Sequence, residues 1–345
     1  MIVLLATLVF WSSGLLVAYT YAGYPLWAWA WARVRPRPVR KGMALPSVTA
    51  ILSVHDAERM VEAKLENLLS LDYPEDRLDV IVVCDGCSDG TEAACLRNRS
   101  TRVRVVSSAR RRGKAASLAD AAALATGEVL LMVDVRQRIE RDALRKLVAN
   151  FDDPAVGAVS GELRFVAPGG GFSASVDAYW RYEKAIRDAE ARSGSVVGVT
   201  GAFYAIRRGL YTPLPAGTVL ADVLTPMRVV QAGARVVFEP EAVAWDRASQ
   251  RVADERLRKV RTLAGNYQLL ALAPWLASPW RNPLWFRFAS HKLMRLAAPW
   301  LLCALAVATA VLAPTHLFYL ACLCAGLACI VMALAGPRLP LLRGS

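Results

Sequence analysis

Short apolar runs alternate with amphipathic stretches through the middle of the chain. Apolar runs bounded by turn residues are typical of buried strands, and the amphipathic stretches are typical of helices. The predicted strands are residues 48–54, 78–83, 103–106 and 129–133. The predicted helices are residues 57–71, 91–96, 114–125 and 142–151. This alternation predicts an α/β fold with a doubly wound, mostly parallel sheet.

The pattern becomes mixed beyond residue 155. Residues 155–160 predict another strand, and residues 172–192 predict a long amphipathic helix. Residues 194–205 read as a glycine-punctuated loop followed by a strand. The second half of the domain is therefore not expected to continue the regular strand and helix order.

Both ends of the chain carry long stretches without any charged residue. These stretches are 2–32, 296–313 and 317–335. A helix that crosses a bilayer needs ~20 apolar residues. The sequence therefore predicts an N-terminal anchor and a C-terminal hairpin, and the alternative is that these segments are buried core helices.

Basic residues flank the apolar stretches on one side. Five cations lie between residues 33 and 41, Lys292 and Arg295 precede the second stretch, and Arg338 and Arg343 follow the third. Such flanks remain in the cytoplasm. We expect a multi-pass protein of the inner or plasma membrane with a cytoplasmic domain.

These patterns divide the chain into six segments. The linker is rich in Pro and Arg, and the segment before the hairpin interleaves Trp, Pro and basic residues, which is typical of the headgroup region. The segments are an anchor at 1–32, a basic linker at 33–46, an α/β domain at 47–265, an interfacial amphipathic segment at 266–292, a transmembrane hairpin at 293–336 and a cytoplasmic tail at 337–345.

The formal net charge of +13 does not indicate nucleic acid, because no nucleic-acid motif accompanies it. The cations cluster beside the apolar stretches and at 256–261, which favours an anionic membrane surface and a diphosphate substrate. Of the seven cysteines, Cys84 and Cys87 have the spacing of a zinc or redox pair. No second pair completes a zinc site, so packing in a tight turn is the favoured alternative.

Carboxylates follow two of the predicted strands. Asp85 comes after the strand at 78–83, and Asp134 comes directly after the strand at 129–133. In an open α/β sheet, ligands lie at the carboxyl ends of the strands. The two aspartates therefore predict one nucleotide site, although ordinary turn chemistry explains either turn alone.

Five ordered motifs make the chain resemble the family 2 glycosyltransferases, over about residues 46–300. The motifs are Ser53-Val54-His55-Asp56-Ala57-Glu58, Asp85-Gly86-Cys87-Ser88-Asp89-Gly90-Thr91, Gly113-Lys114, Asp134 after its strand, and Val199-Thr200-Gly201-Ala202-Phe203. The membrane-bound branch of that family, which includes hyaluronan, chitin and cellulose synthases, also brackets its domain with spans. The resemblance implies a GT-A fold that binds a nucleotide-sugar donor across the strand ends.

The resemblance also assigns donor contacts. Glu58 and Asp85 match the base and ribose contacts, and Lys114 matches a residue that helps to hold the donor. His55, Gly86 and Gly201 fall in the same donor-binding motifs. The alternatives are a carboxylate at a helix N-terminus for Glu58 and a solvated side chain for Lys114.

Asp134 matches the first position of the family's Asp-x-Asp metal motif, which implies Mg²⁺ or Mn²⁺ on the diphosphate. The third position of that motif is Arg136, which cannot ligate a metal but can contact a diphosphate bidentately. The alternative for Arg136 is a structural ion pair.

Two further matches concern catalysis. Asp222 matches the last residue of the family's Thr-Glu-Asp motif, which implies a general base, and a helix N-cap is the alternative. Arg261 is the residue retained from the Gln-x-x-Arg-Trp motif of processive synthases. Because the rest of that motif is lost, the sequence supports sugar transfer more than processive synthesis.

The sequence thus predicts an inverting membrane glycosyltransferase. We expect it to move a sugar from a nucleotide-diphosphate donor to a lipid-linked or growing polysaccharide acceptor, with other polysaccharide-export components as possible partners. The altered motifs around Arg136 and Asp222 leave one alternative open, a non-catalytic subunit or nucleotide-sugar sensor of a polysaccharide-synthesis complex.

Overall fold

The structure is a computed structural model that describes residues 1–98, 100–166, 171–247 and 252–335. The predicted tail at 337–345, with Arg338 and Arg343, lies outside the described residues. The chain forms two compact units. The sheet unit contains Ala32–Ala167 and Arg187–Trp285, and the apolar unit contains Met1–Trp31, Pro168–Ile186 and Phe286–Ser345.

One eight-stranded sheet organises the sheet unit. Its strands are β1 (Val48–Val54), β2 (Leu78–Asp85), β3 (Val103–Ser108), β4 (Val129–Val133), β5 (Arg138–Ile139), β6 (Val156–Val166), β7 (Phe203–Arg207) and β8 (Arg235–Arg247). Their order across the sheet is β3-β2-β1-β4-β7-β6-β8-β5. Strands β3, β2, β1 and β4 are parallel, as the sequence predicts.

The remaining strands make the sheet mixed. Strand β7 runs antiparallel to both β4 and β6, β8 runs parallel to β6, and β5 runs antiparallel to β8. The apolar pattern of a buried strand carries no information about its direction, which the connections decide. The sheet is accordingly less uniformly parallel than the sequence predicts.

Twelve α-helices accompany the sheet in the described residues. They are α1 (Ile2–Ala18), α2 (Tyr24–Val34), α3 (Glu58–Leu69), α4 (Thr91–Arg97), α5 (Lys114–Leu124), α6 (Ala143–Val148), α7 (Gly171–Arg192), α8 (Ala221–Gln231), α9 (Val252–Leu272), α10 (Trp285–Phe288), α11 (Met294–Leu312) and α12 (Leu317–Ala335).

Strand boundaries follow the apolar pattern closely. The predicted strands at 48–54 and 129–133 match β1 and β4 at both ends. Strands β2 and β3 each run two residues further than predicted, because Cys84 and Asp85 pair with Ser107 and Ser108. Backbone pairing thus continues where the apolar side chains stop.

The sequence pattern missed β8 and α9. Strand β8 contains Pro240 between two glutamates, at the place where its register against β6 shifts, and proline in a strand is tolerated at such irregularities. Helix α9 carries the basic run and continues to Leu272, past residue 265, where the sequence predicts that the α/β domain ends.

Both faces of the sheet are covered, because successive side chains of a strand point to opposite faces. Leu52 of β1 belongs to a core that includes Leu65 of α3 and Leu147 of α6. Ile51 belongs to a second core that includes Leu118 of α5 and Val229 of α8. Burying a side chain such as Leu65 contributes about 1.5–3 kcal/mol. These cores hold the strand ends in place.

The apolar unit contains α1, most of α2, the part of α7 up to Ile186, most of α10, α11 and α12. Two continuous helices, Ile2–Val34 and Trp285–Leu312, are long and apolar enough by length and composition to cross a membrane. Each contains one π-helical segment, at Tyr19–Gly23 and at Ala289–Leu293. Helix α12 is a shorter apolar helix, whose residue Tyr319 packs its ring against Phe10 of α1.

Candidate active site

The turns after β1 and β2 lie side by side, since the two strands are parallel and pair through to Val54 and Cys84. His55 Nδ1 lies 2.9 Å from the Asp85 carbonyl oxygen. The Asp56 carboxylate accepts a hydrogen bond of 2.7 Å from the Ser88 amide, which lowers the pKa of Asp56. Asp56 itself has a φ of +47°, so the turn is held in a conformation that few residues adopt.

The Asp85 side chain forms hydrogen bonds with the loop that precedes α5. Its carboxylate is buried and accepts hydrogen bonds from the amides of Arg112 at 2.8 Å and Gly113 at 2.7 Å. Gly86 has a φ of +62°, and a Cβ there would lie 2.3 Å from the Arg111 nitrogen. Only glycine therefore lets the loop pass this close. Two of the roughly four lone-pair sites of the Asp85 carboxylate are used by these amides.

Glu58 is exposed at the first turn of α3. Its carboxylate accepts a hydrogen bond from the Gly90 amide at 3.3 Å, and its own amide donates to Asp89 at 3.2 Å. A Cβ on Gly90 would lie 2.4 Å from a Glu58 carboxylate oxygen. Glu58 thus links the two turns, in the helix-start position that the alternative interpretation also expects.

Lys114, Asp134 and Gly201 converge from three segments. Lys114 is the first residue of α5, and its Nζ lies 2.5 Å from Asp134 Oδ1 and 3.1 Å from the Gly201 carbonyl oxygen. The Asp134 amide donates to the Ala202 carbonyl, because β7 pairs antiparallel with β4. Lys114 is therefore not simply a solvated lysine, since it bridges the ends of β4 and the loop before β7.

Asp222 lies beside the same group. It occupies the first turn of α8, and a Cβ on Gly201 would lie 3.1 Å from the Asp222 Cβ. The residue at the N-cap is Leu220, so the N-cap alternative for Asp222 is wrong. The Asp222 carbonyl also accepts a hydrogen bond of 2.9 Å from the Val199 amide.

A cavity of about 310 Å³ collects these side chains. Lys114, Asp134 and Asp222 line it, together with Arg258 and Arg261 of α9. Arginines three residues apart lie on one helix face, and this spacing is the signal that would have added Arg258 to the predicted site. A larger cavity of about 1070 Å³ elsewhere in the sheet unit is lined by none of the predicted site residues.

Arg136 forms an ion pair. Its Nη2 lies 2.6 Å from Asp246 Oδ2. The same oxygen accepts a hydrogen bond of 2.8 Å from Gln137 Nε2. The Asp246 side chain is 1% exposed, whereas that of Arg136 is 48% exposed. The arrangement agrees with the structural alternative for Arg136. No local sequence signal could have found Asp246, which lies 110 residues further along the chain.

A buried lysine lies close to this group of residues. Lys64 of α3 donates a hydrogen bond of 2.7 Å to the Gln137 carbonyl. Burial lowers the pKa of Lys64 to about 7, and the negative charge of Asp134 opposes that shift. No sequence signal selects Lys64, because its place on the buried face of α3 is that of a core residue.

A divalent cation would bind here through Asp134. Asp134 is the one residue of the former metal motif that offers a carboxylate, and Lys114 already contacts one of its oxygens. Mg²⁺ commonly binds through one or two carboxylates, substrate phosphates and water. Asp134 fits such a cation once a diphosphate supplies the other oxygens. Separately, ligand atoms of His55, Asp56 and Cys87 lie within 4.8 Å of one another.

The family model for glycosyltransferase-like family 2 matches residues 46–264. The chain belongs to this family. The resemblance that the motifs indicate is therefore confirmed, and the mixed α/β sheet is consistent with the GT-A fold of family 2 glycosyltransferases.

Two curated relatives of this family 2 chain are synthases. The poly-β-1,6-N-acetyl-D-glucosamine synthase of Staphylococcus aureus is 22% identical over 233 residues, which cover 66% of this chain and 56% of the relative. The β-monoglucosyldiacylglycerol synthase of Synechocystis sp. is 27% identical over 152 residues, which cover 41% of this chain and 32% of the relative. The family 2 chain thus spans about half the length, or less, of these relatives.

A solved structure is similar over nearly the whole family 2 chain. The mannosyltransferase PcManGT from Pyrobaculum calidifontis, in complex with GDP-Man and Mn²⁺, has a TM-score of 0.72 and 25% sequence identity. The similarity covers 93% of this chain and 92% of the mannosyltransferase. It extends beyond residues 46–264, which the family model matches.

Proposed function

We propose that this chain is an inverting glycosyltransferase of the cytoplasmic membrane face. It moves a sugar from a nucleotide-diphosphate donor to a lipid-linked or growing polysaccharide acceptor. One observation carries the proposal, namely that Lys114, Asp134 and Asp222 converge on a cavity that Arg258 and Arg261 also line. A carboxylate opposite a group of cations suits a reaction in which a hydroxyl loses its proton and a diphosphate leaves.

Asp222 is the general base of the proposed reaction. It takes the proton of the acceptor hydroxyl while the hydroxyl oxygen forms its bond to the anomeric carbon, and the bond from that carbon to the diphosphate breaks. Gly201 leaves room for the Asp222 side chain, because any side chain there would crowd it. A base held in a fixed position contributes typically 10²–10⁴-fold to a rate.

Cations stabilise the charge that develops on the diphosphate. Lys114, Arg258 and Arg261 lie around the cavity and supply positive charge that is already in place. Arg136 keeps about half of its side chain exposed while one nitrogen pairs with Asp246, so a second contact of Arg136 with the diphosphate is part of the proposal. Asp134 would hold a divalent cation, which supplies further charge neutralisation when bound.

In the proposed reaction, the turns after β1 and β2 bind the nucleoside of the donor. His55, Glu58, Asp85 and Gly86 lie together there, linked by hydrogen bonds between the two turns. Carboxylate oxygens accept hydrogen bonds from ribose hydroxyls and from base N–H groups. PcManGT, solved with GDP-Man and Mn²⁺, supports a nucleotide-sugar donor and a divalent cation for this chain.

Membrane location is part of the proposal. Two helices long and apolar enough to span a bilayer support it, as do the relatives named for a polysaccharide and a glycolipid product. We retain the predicted topology, with the anchor at 1–32, the hairpin at 293–336 and the interfacial segment before it. Polysaccharide-export components are then the expected protein partners.

A second candidate function is a non-catalytic subunit or nucleotide-sugar sensor. The ion pair between Arg136 and Asp246 favours it, because it places a structural contact at a position where the family motif has a metal ligand. In this case the chain would bind donor without transferring sugar.

The test is release of nucleoside diphosphate from a panel of nucleotide sugars by the detergent-purified chain, with Mg²⁺, with Mn²⁺ and with EDTA. Release that is lost in Asp222→Asn, while nucleotide binding persists, supports the transferase. The matched control is Asp76→Asn, an exposed aspartate outside the cavity. Full release by Asp222→Asn would contradict the base assignment, and nucleotide binding without any release would favour the sensor.

A further inference from the structure

The two long apolar helices both contain a π-helical segment, and the two segments contact each other. The Tyr19 hydroxyl of one segment lies 2.7 Å from the Ser290 hydroxyl of the other. Within the first segment, the Tyr21 carbonyl accepts a hydrogen bond of 2.9 Å from the Tyr182 hydroxyl of α7. π-Helical segments are rare in proteins as a whole, and those that occur are often found at functional sites. Polar contacts therefore concentrate where both helices depart from regular geometry.

Three charged or titratable side chains complete this group inside the apolar unit. Glu183 of α7 lies 3.3 Å from His291 Nε2 and pairs with Arg295 Nη1. Burial alone would raise the pKa of Glu183, but His291 and Arg295 hold it below its usual range. We name this group the polar cluster. Its members are Tyr19, Tyr21, Tyr182, Glu183, Ser290, His291 and Arg295.

Arg295 is only partly satisfied. Its Nε and Nη2 atoms are buried and have no hydrogen-bond partner in the part of the chain that the structure describes. Buried donors without acceptors are costly and therefore call for an explanation. The Tyr182 ring lies over the guanidinium, 5.6 Å from its carbon to the ring centre.

The geometry of the unsatisfied atoms selects a ligand chemistry. Nε and Nη2 form one edge of the guanidinium and donate two parallel hydrogen bonds, while Nη1 is already used by Glu183. Two oxygens of one phosphate match that edge bidentately. The charge of Lys292 also reaches the cluster, because it contributes to lowering the pKa of Glu183. Arg295 thus offers two donors on one edge, and Lys292 adds a positive charge nearby.

We propose that the polar cluster binds the phosphate of a lipid headgroup, with the Nε and Nη2 edge of Arg295 as its donors. The proposal rests on the membrane location given under the proposed function. Because the Tyr182 ring covers the guanidinium, the proposal requires this ring to be displaced when headgroup oxygens reach Nε and Nη2. Two kinds of lipid carry such a phosphate, namely a bilayer phospholipid and a polyprenyl-phosphate acceptor.

The test measures lipid retention and does not require sugar transfer. The full detergent-purified chain is titrated, in native mass spectrometry, with phosphatidylglycerol, with a short-chain polyprenyl phosphate, and with diacylglycerol, which lacks phosphate. We expect the phosphate lipids to be retained in preference to diacylglycerol, and Arg295→Gln to reduce that retention about tenfold. Arg281→Gln, at an exposed arginine of the sheet unit, should leave it unchanged.

A second variant separates binding from folding. Glu183→Gln removes the carboxylate that competes for Arg295, so retention of phosphate lipids should hold or increase. Preference for the polyprenyl phosphate identifies an acceptor site, and preference for phosphatidylglycerol identifies a bilayer headgroup site. Equal retention of diacylglycerol, retention by Arg295→Gln that equals the unsubstituted chain, or loss in both variants would overturn the proposal. Phosphate-lipid retention in a chain that releases no nucleoside diphosphate would count against the proposed transferase alone.

Discussion

The Lys114 ammonium lies 2.5 Å from Asp134 Oδ1, so a cation already occupies one side of the carboxylate to which the family motif assigns a metal ion. The same ammonium holds the Gly201 carbonyl at 3.1 Å. Lys114 therefore links β4, α5 and the loop that faces Asp222. Its loss should affect both donor binding and the order of the cavity.

Lys114→Gln removes this charge while nearly keeping the length of the side chain. We expect nucleoside diphosphate to bind about ten- to a hundredfold more weakly, since hydrogen bonds to charged groups contribute about 1.5–3 kcal/mol. Isothermal titration calorimetry measures the affinity. Lys146→Gln, at an exposed ion pair on α6, is the control, and equal affinities of the two variants would refute a donor role for Lys114.

Gly201→Ala tests the placement of Asp222. The added methyl would lie 3.1 Å from the Asp222 Cβ, which is tighter than most such contacts, so one of the two must shift by a few tenths of an ångström. We expect kcat to fall about tenfold with little change in nucleotide affinity, because misplacing a reacting group lowers the rate. Gly209→Ala, where a Cβ meets nothing within 4 Å, is the matched control. An unchanged kcat would show that Asp222 tolerates displacement.

Variants of Arg136 and Asp246 distinguish a diphosphate contact of Arg136 from a purely structural ion pair. If Arg136 contacts the diphosphate, Arg136→Gln raises the donor KM about tenfold, whereas Asp246→Asn keeps the cation and raises it less. If the pair is only structural, both variants lower the Tm and leave the donor KM unchanged. Steady-state kinetics and thermal unfolding of both single variants and the double variant separate the two cases.

Lys64 predicts a pH dependence of stability. Its pKa is about 7 in the folded chain and near 10.5 in the unfolded chain, so between these values the unfolded state binds more protons. Its contribution to the free energy of unfolding therefore rises with pH, by on the order of 1 kcal/mol per unit from pH 7 upward. In Lys64→Met this contribution is absent. The difference in Tm between Lys64→Met and the unsubstituted chain should become smaller from pH 7 to pH 9. A constant difference would contradict the lowered pKa of Lys64.

The sequence predicted those features that depend on neighbouring residues. The apolar runs located β1 and β4 to the residue, and the ordered motifs placed Lys114, Asp134 and Asp222, which the structure brings together. Each of these features depends on a local pattern or on a spacing that recurs in a family.

What the sequence missed depends on distant parts of the chain. Asp246 reaches Arg136 across 110 residues, and Lys64 is buried only because α3 packs on the sheet. The reversed direction of β7 is likewise set by connections and not by its apolar residues. Long-range partners decide these features, and no short pattern in the sequence records them.

Asp85 is the last residue of β2, and its carboxylate accepts hydrogen bonds from the two amides that precede Lys114. In the proposed donor complex, a base N–H or a ribose hydroxyl donates to the same carboxylate, which has lone-pair sites left beside those two amides. Asp85 would then contact the nucleoside and, through those amides, the start of α5, where Lys114 lies. Under the proposed function, a single carboxylate thus connects recognition of the nucleoside to the position of the lysine, and a nucleoside that displaces Asp85 is expected to displace Lys114 as well.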